Sequence, residues 1–161
     1  NGETEEWSLI NNSSTDVPLA WYVLSDTNST NLVASRNANI ISIKGIFNGA
    51  AVDTEYTVDD EPWIQAIDHS IPPDLLENNH YQEFWHIQIN TLGIIKLAME
   101  NRGTENILLD GVSTLTDKVQ IRTINDTWSA TFWFGYSDKK IRKYIGNFGP
   151  GTVEMTYLIT Q

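Results

Sequence analysis

Apolar residues recur at every second position over short stretches of this chain, and turn-forming residues interrupt the pattern at close intervals. In Trp128-Ser129-Ala130-Thr131-Phe132-Trp133-Phe134 the even positions are apolar, whereas Ser129 and Thr131 face the other way with Trp133 beside them. Val153, Met155, Tyr157 and Ile159 alternate with Thr152, Glu154, Thr156 and Thr160, and Trp85, Ile87 and Ile89 alternate with His86, Gln88 and Asn90. A period of two places one face against a core and the other in water, the signature of half-buried antiparallel strands.

Further strands are expected at Trp7 to Ile10, Leu19 to Leu24, Asn39 to Phe47, Thr54 to Val58, Trp63 to Ile67, Ile94 to Met99, Ile107 to Leu109 and Val119 to Ile124. Asn48-Gly49, Asp110-Gly111, Asn125-Asp126 and Gly149-Pro150-Gly151 supply turn residues that tolerate positive φ or preset a bend. About a dozen short strands in one chain predict an all-β sandwich or barrel. Helix evidence is confined to Pro72–Asn78, where a short helix of one or two turns and a loop are equally compatible with the residues. The Asn- and Ser-rich stretches Asn11 to Asp16 and Ser25 to Asn31 read as surface loops.

With 161 residues, 40% of them hydrophobic, the chain suits a single domain, 1–161, with a proper core. The net charge of -11 argues against nucleic-acid binding, which needs a basic face. There is no cysteine, so neither disulfides nor thiolate metal sites enter. The opening residues, Asn1 to Glu6, are polar and acidic with no apolar run, which reads as a domain boundary within a longer precursor rather than a signal peptide or an anchor. Four sequons, at Asn11, Asn12, Asn28 and Asn125, lie in a chain already rich in Asn and Thr.

Catalytic and metal chemistry find little purchase. His69, His80 and His86 lack metal-ligand spacing, no GxSxG elbow is present, and no DxDxDG calcium loop occurs. The acidic run Asp59-Asp60-Glu61 is consecutive, so its carboxylates alternate in direction and read as a solvated turn before Pro62 rather than a glycosidase pair. Of the six tryptophans, Trp21, Trp63 and Trp85 read as packing residues, while Trp7, Trp128 and Trp133 have polar neighbours and are candidates to present a ring to a sugar. Lys139, Lys140, Arg142 and Lys143 form a basic knot in an acidic protein. They are either lysines guarding an edge strand or donors, with Tyr144, for hydroxyls or a carboxylate.

The segment 118–160, KVQIRTINDTWSATFWFGYSDKKIRKYIGNFGPGTVEMTYLIT, resembles the distal glycan-binding head of the rotavirus outer-capsid spike. The likeness rests on the turn Asn125-Asp126, the aromatic strand Phe132 to Gly135, the strand end Lys143-Tyr144 and the closing run Val153-Glu154-Met155-Thr156. Earlier segments echo it in the same order: Glu6 to Ile10, Glu55-Tyr56-Thr57 and Gln82 to Trp85.

The resemblance implies a galectin-like sandwich of two antiparallel sheets, with no catalysis, no cofactor and no metal. Its partners would be host cell-surface glycans and the remainder of the spike, with no membrane insertion by this domain, and its place the outer capsid of the virion; the sequons would then be silent. The family's sugar cleft maps onto Arg36, Lys143 and Tyr144. Gly146 departs from it, standing where sialic-acid-binding members carry a serine, and Ile145 stands where a tyrosine is frequent. This argues against a sialic-acid cleft of that type and brings in a neighbouring groove near Trp7 and Trp128. Two other readings share the aromatic strands: a microbial carbohydrate-binding module or glycosidase-like jelly roll, and a capsid interaction domain that binds protein through the basic knot.

Overall fold

The computed structural model describes residues 5–11, 18–65, 67, 71, 73–77, 80–148 and 151–156. It is all-β, with two antiparallel sheets, as the alternation predicts and as a β-sandwich requires. The first sheet runs in chain order through β1 (Glu5–Asn11), β2 (Pro18–Ser25), β3 (Thr30–Asn37), β4 (Ile40–Phe47) and β5 (Ala50–Thr57). The second comprises β6 (Tyr81–Ile87), β7 (Ile94–Leu109), β8 (Val112–Thr123), β9 (Ser129–Gly135), β10 (Ile141–Phe148) and β11 (Gly151–Thr156), ordered β11-β10-β9-β8-β7-β6. Among the described residues a 3-10 turn, Pro73–Leu76, lies within the segment Pro72–Asn78, where the sequence is compatible with a short helix or a loop. The chain divides into two compact units, residues 1–66 with 85–95, and 67–84 with 96–161.

In the first unit the inward row alternates as its sequence dictates. Trp21, Val23, Leu32, Ala34, Ile41 and Ile43 are buried, joined by Val58, Trp63, Ile87 and Leu92. Arg36 on β3 fixes the segment after β5, donating to the backbone carbonyls of Ala38, Asp59 and Glu61. The second unit buries Leu97, Met99, Val119, Ile121, Ala130, Phe132 and Phe134. Asn101, equally buried, donates its amide to the Leu76 carbonyl at 2.6 Å and so anchors the 3-10 turn.

Several sequence expectations need correction. Ser25 to Asn31 is not all loop: the turn occupies only residues 26–29, and Thr30 opens β3, a strand hidden in sequence because its inward residues include small Ala34 and polar Thr30. Trp63 to Ile67 is not a strand. Only Trp63 bridges Trp85, and the buried side chain of Gln65 takes over the pairing, accepting from the Ile87 N–H at 3.0 Å and donating to the Ile87 carbonyl at 3.1 Å. Ile94 to Met99 and Ile107 to Leu109 belong to one sixteen-residue strand, interrupted by a register shift between Asn101 and Thr104. Val119 to Ile124 begins earlier, at Val112.

The guarded-edge reading of the basic knot also falls. Lys139 and Lys140 precede β10, and β10 is paired on both sides, with β9 and β11, so it is no edge.

Candidate functional site

β10 carries the residues that the sequence singled out, and the period of two separates them. Lys143 lies opposite Trp133 of β9, whereas Tyr144 lies opposite Phe132 and Met155, and Gly146 opposite Ala130 and Val153. Tyr144 and Gly146 therefore share one face of the sheet and Lys143 points to the other. Trp128 sits just before β9, where its backbone is clamped by Thr123: the Trp128 N–H donates to Thr123 Oγ1 at 3.1 Å, and the Thr123 N–H donates to the Trp128 carbonyl at 3.0 Å. Its side chain is half-buried.

Tyr144 is the member of this group with spare chemistry. Its ring stacks on Phe132 with centroids 5.6 Å apart and an interplanar angle of 25°, which fixes its orientation. On the other side stand Met155 and Val153, 44% and 41% exposed, and Tyr144 itself is half-buried. No described residue hydrogen-bonds its hydroxyl. Gly146, two positions on, adds no side chain to the same face.

On the other face, Lys118 of β8, Trp133 and Lys143 form a cross-strand row. The two ammonium groups stand 5.6 Å and 5.5 Å from the Trp133 ring centroid. The row buries the indole, so Trp133, a candidate to offer its ring to solvent, is only 7% exposed. Lys118 also binds Glu105 at 2.7 Å. Neither Lys118 nor Glu105 stood out in the sequence, because their partnership needs the strand register and is not signalled by local spacing.

The remainder of the basic knot is spent internally. Lys139 binds the buried carboxylate of Asp117 at 2.6 Å and lies 4.7 Å from the Tyr136 ring centroid. Arg142 binds Asp138 at 2.6 Å. These contacts brace the turn between β9 and β10, in which Lys139 adopts a φ of 54°. They leave Lys140 as the exposed cation of the group.

Arg36 belongs to the first unit, where its guanidinium donates to three backbone carbonyls. Trp7 lies opposite Val23 in β1, and its side chain is outside the described residues. His69 and Tyr157 to Gln161 are likewise outside them. His86 Nδ1–H donates to the Ile64 carbonyl, 3.1 Å away. The Asp59–Glu61 run is a surface turn, with Asp59 Oδ1 accepting from the Trp85 indole at 2.7 Å and from the Glu61 N–H at 3.2 Å. Among the described residues no group of three His, Asp or Glu side chains is placed to hold a metal ion. No helix of the described residues is long and apolar enough to cross a membrane.

The ion pairs make stability sensitive to acid. The hydrogen bond from Lys118 holds Glu105 below its ordinary value of 4.5. Burial pushes Asp138 up, but the hydrogen bond from Arg142, with the Lys140 N–H and both cationic charges, holds it below 3.8. A carboxylate depressed in the folded state stabilises fully above its unfolded pKa and loses that contribution as pH falls through the folded value. The urea midpoint is therefore expected to be flat above about pH 5 and to fall below about pH 4, and the double variant Glu105→Gln, Asp138→Asn to fall less steeply. Equal slopes for the two proteins would contradict these assignments.

Comparison with family models, with curated proteins and with solved structures finds no match to the chain.

Proposed function

We propose that this domain is a non-enzymatic attachment module that binds host cell-surface glycans, as the distal head of a rotavirus-like outer-capsid spike. The reading rests on the resemblance carried by residues 118–160, and the observation that supports it best is Tyr144. A saccharide is recognised by an aromatic ring against its CH face together with hydrogen-bonding groups for its hydroxyls. Tyr144 offers both, as a half-buried ring held by Phe132 beside the exposed Met155 and a phenol with no described partner. Trp128 lies in the turn leading into the adjoining β9. The absence of a side chain at Gly146 leaves the serine contact of sialic-acid-binding members unmade, which favours neutral glycans.

Each contact would be weak, and display of many heads on a particle would raise avidity by about 10² to 10⁴. A glycan array probed with a multivalent form tests the reading. Binding is expected to a discrete group of glycans, to fall at least about tenfold for Tyr144→Ala, as lost stacking and a lost hydrogen bond would together require, and to weaken for Trp128→Ala. A blank array, or retained binding in both variants, would sink the proposal, and turnover of a glycoside substrate would favour the jelly-roll hydrolase instead.

A further inference from the structure

β5 ends the five-stranded sheet and is paired with β4 through all eight residues, Ala50 against Phe47 to Thr57 against Ile40, without a shift in register. Its other edge is open: among the described residues, its one contact beyond β4 by hydrogen bond is from the Tyr56 phenol to the Leu92 carbonyl. Sheet edges are ordinarily blunted by lysine, proline or a bulge. Ala50–Thr57 contains neither residue and no bulge, whereas β1, at the opposite side of the sheet, shifts register between Ile10 and Asn11.

The two faces of this edge differ in chemistry. Val52, Thr54 and Tyr56 are half-buried, and Val52 and Tyr56 pack against the hydrophobic cluster, so apolar surface continues to the rim. Asp53 and Glu55 are exposed on the other face. Asp53 is held by Lys44 at 3.2 Å in a solvent-exposed pair, and Glu55 accepts from Ser42 at 3.2 Å; both contacts are weak enough to be shared with an incoming cation.

We propose that the β5 edge docks an extended segment of a partner protein in which basic and apolar residues alternate. Backbone N–H and C=O groups would extend the ladder, apolar side chains would continue the Val52–Tyr56 row, and basic ones would meet Asp53 and Glu55. A second copy of this chain is the wrong occupant. Antiparallel pairing of β5 with itself would bring the Asp53 and Glu55 carboxylates of the two copies together, and like charges across a ladder destabilise it. This polypeptide site goes beyond the glycan reading and does not depend on it.

An octapeptide alternating lysine and valine is the probe, titrated into the ¹⁵N-labelled protein while amide shifts and hydrogen exchange are followed. Shifts confined to β4 and β5 and slower exchange along Ala50–Thr57 are expected. Affinity should drop about tenfold or more for Asp53→Lys, Glu55→Lys and return with a peptide carrying glutamate in place of lysine. A peptide N-methylated at alternate backbone positions should fail to bind. The proposal is overturned by equal binding of the charge-reversed variant or of the N-methylated peptide, by shifts elsewhere, by no binding at millimolar peptide, or by a β5-mediated dimer in sedimentation.

Discussion

Replacing Gly45 by alanine is expected to cost about 4 kcal/mol of folding stability, from roughly 1–3 kcal/mol of backbone strain and a similar overpacking penalty. Gly45 has a φ of 135°, a region closed to other residues, and it lies in the inner row Val23, Leu32, Gly45, Val52. A Cβ there would run into the Asn31 carbonyl oxygen and stand 2.8 Å from the Leu32 Cα. Both obstacles are backbone of the neighbouring strand, so no side-chain rotation relieves them and β3 and β4 must separate. Gly49→Ala separates the two terms. Gly49 also has a positive φ, 78°, but nothing lies within 4 Å of its added Cβ, so its loss should be about 1 kcal/mol. Urea denaturation reads both variants as shifts in midpoint at constant slope. Equal losses for the two would show that the close approach of β3 to β4 is not what Gly45 serves.

Lys139→Met comes next in size, at about 3 kcal/mol, because it strips the partner from a carboxylate that is 2% exposed. Methionine keeps most of the stem and removes the charge. Asp117 would then be a buried anion whose side-chain hydrogen-bond donor was Lys139. Neutralising it as well should restore much of the loss, so the double variant Asp117→Asn, Lys139→Met is expected to be more stable than Lys139→Met alone. A double-mutant cycle in urea gives the coupling directly. Additive losses would mean that Lys139 contributes through its turn and not through Asp117.

Lys139 also shows where sequence reading stops. The knot is conspicuous in an acidic chain, yet its partner Asp117 lies 22 residues earlier on another strand and is invisible to any local pattern. Arg36 is similar, since the carbonyls it binds are 23 and 25 residues away. Local chemistry was legible. Asn48-Gly49 and Asp110-Gly111 carry turn-forming residues, and each forms a two-residue hairpin with both φ angles positive, 50° and 78°, 48° and 80°. The alternation in Trp128–Phe134 likewise appears in β9, with Ala130, Phe132 and Phe134 buried.

β3 carries a weak local strand signal because Ala34 fills an inward position with a residue of low strand propensity. Neighbouring residues in a strand face opposite ways, so Lys143 and Tyr144 separate as soon as β10 is a strand. What could not be read was that Trp133 would be enclosed by Lys118 and Lys143, since that depends on the register of three strands and on the shift between Ile141 and Lys143.

Mapping amide shifts as the strongest array glycan is titrated in tests the central claim most directly. If the domain is a glycan-binding head that works through Tyr144, perturbed amides will cluster on β9, β10 and β11 around Phe132, Tyr144 and Met155, and they will vanish in Tyr144→Ala with the rest of the spectrum intact. Shifts confined to β1–β5, or an unchanged pattern in Tyr144→Ala, would contradict it.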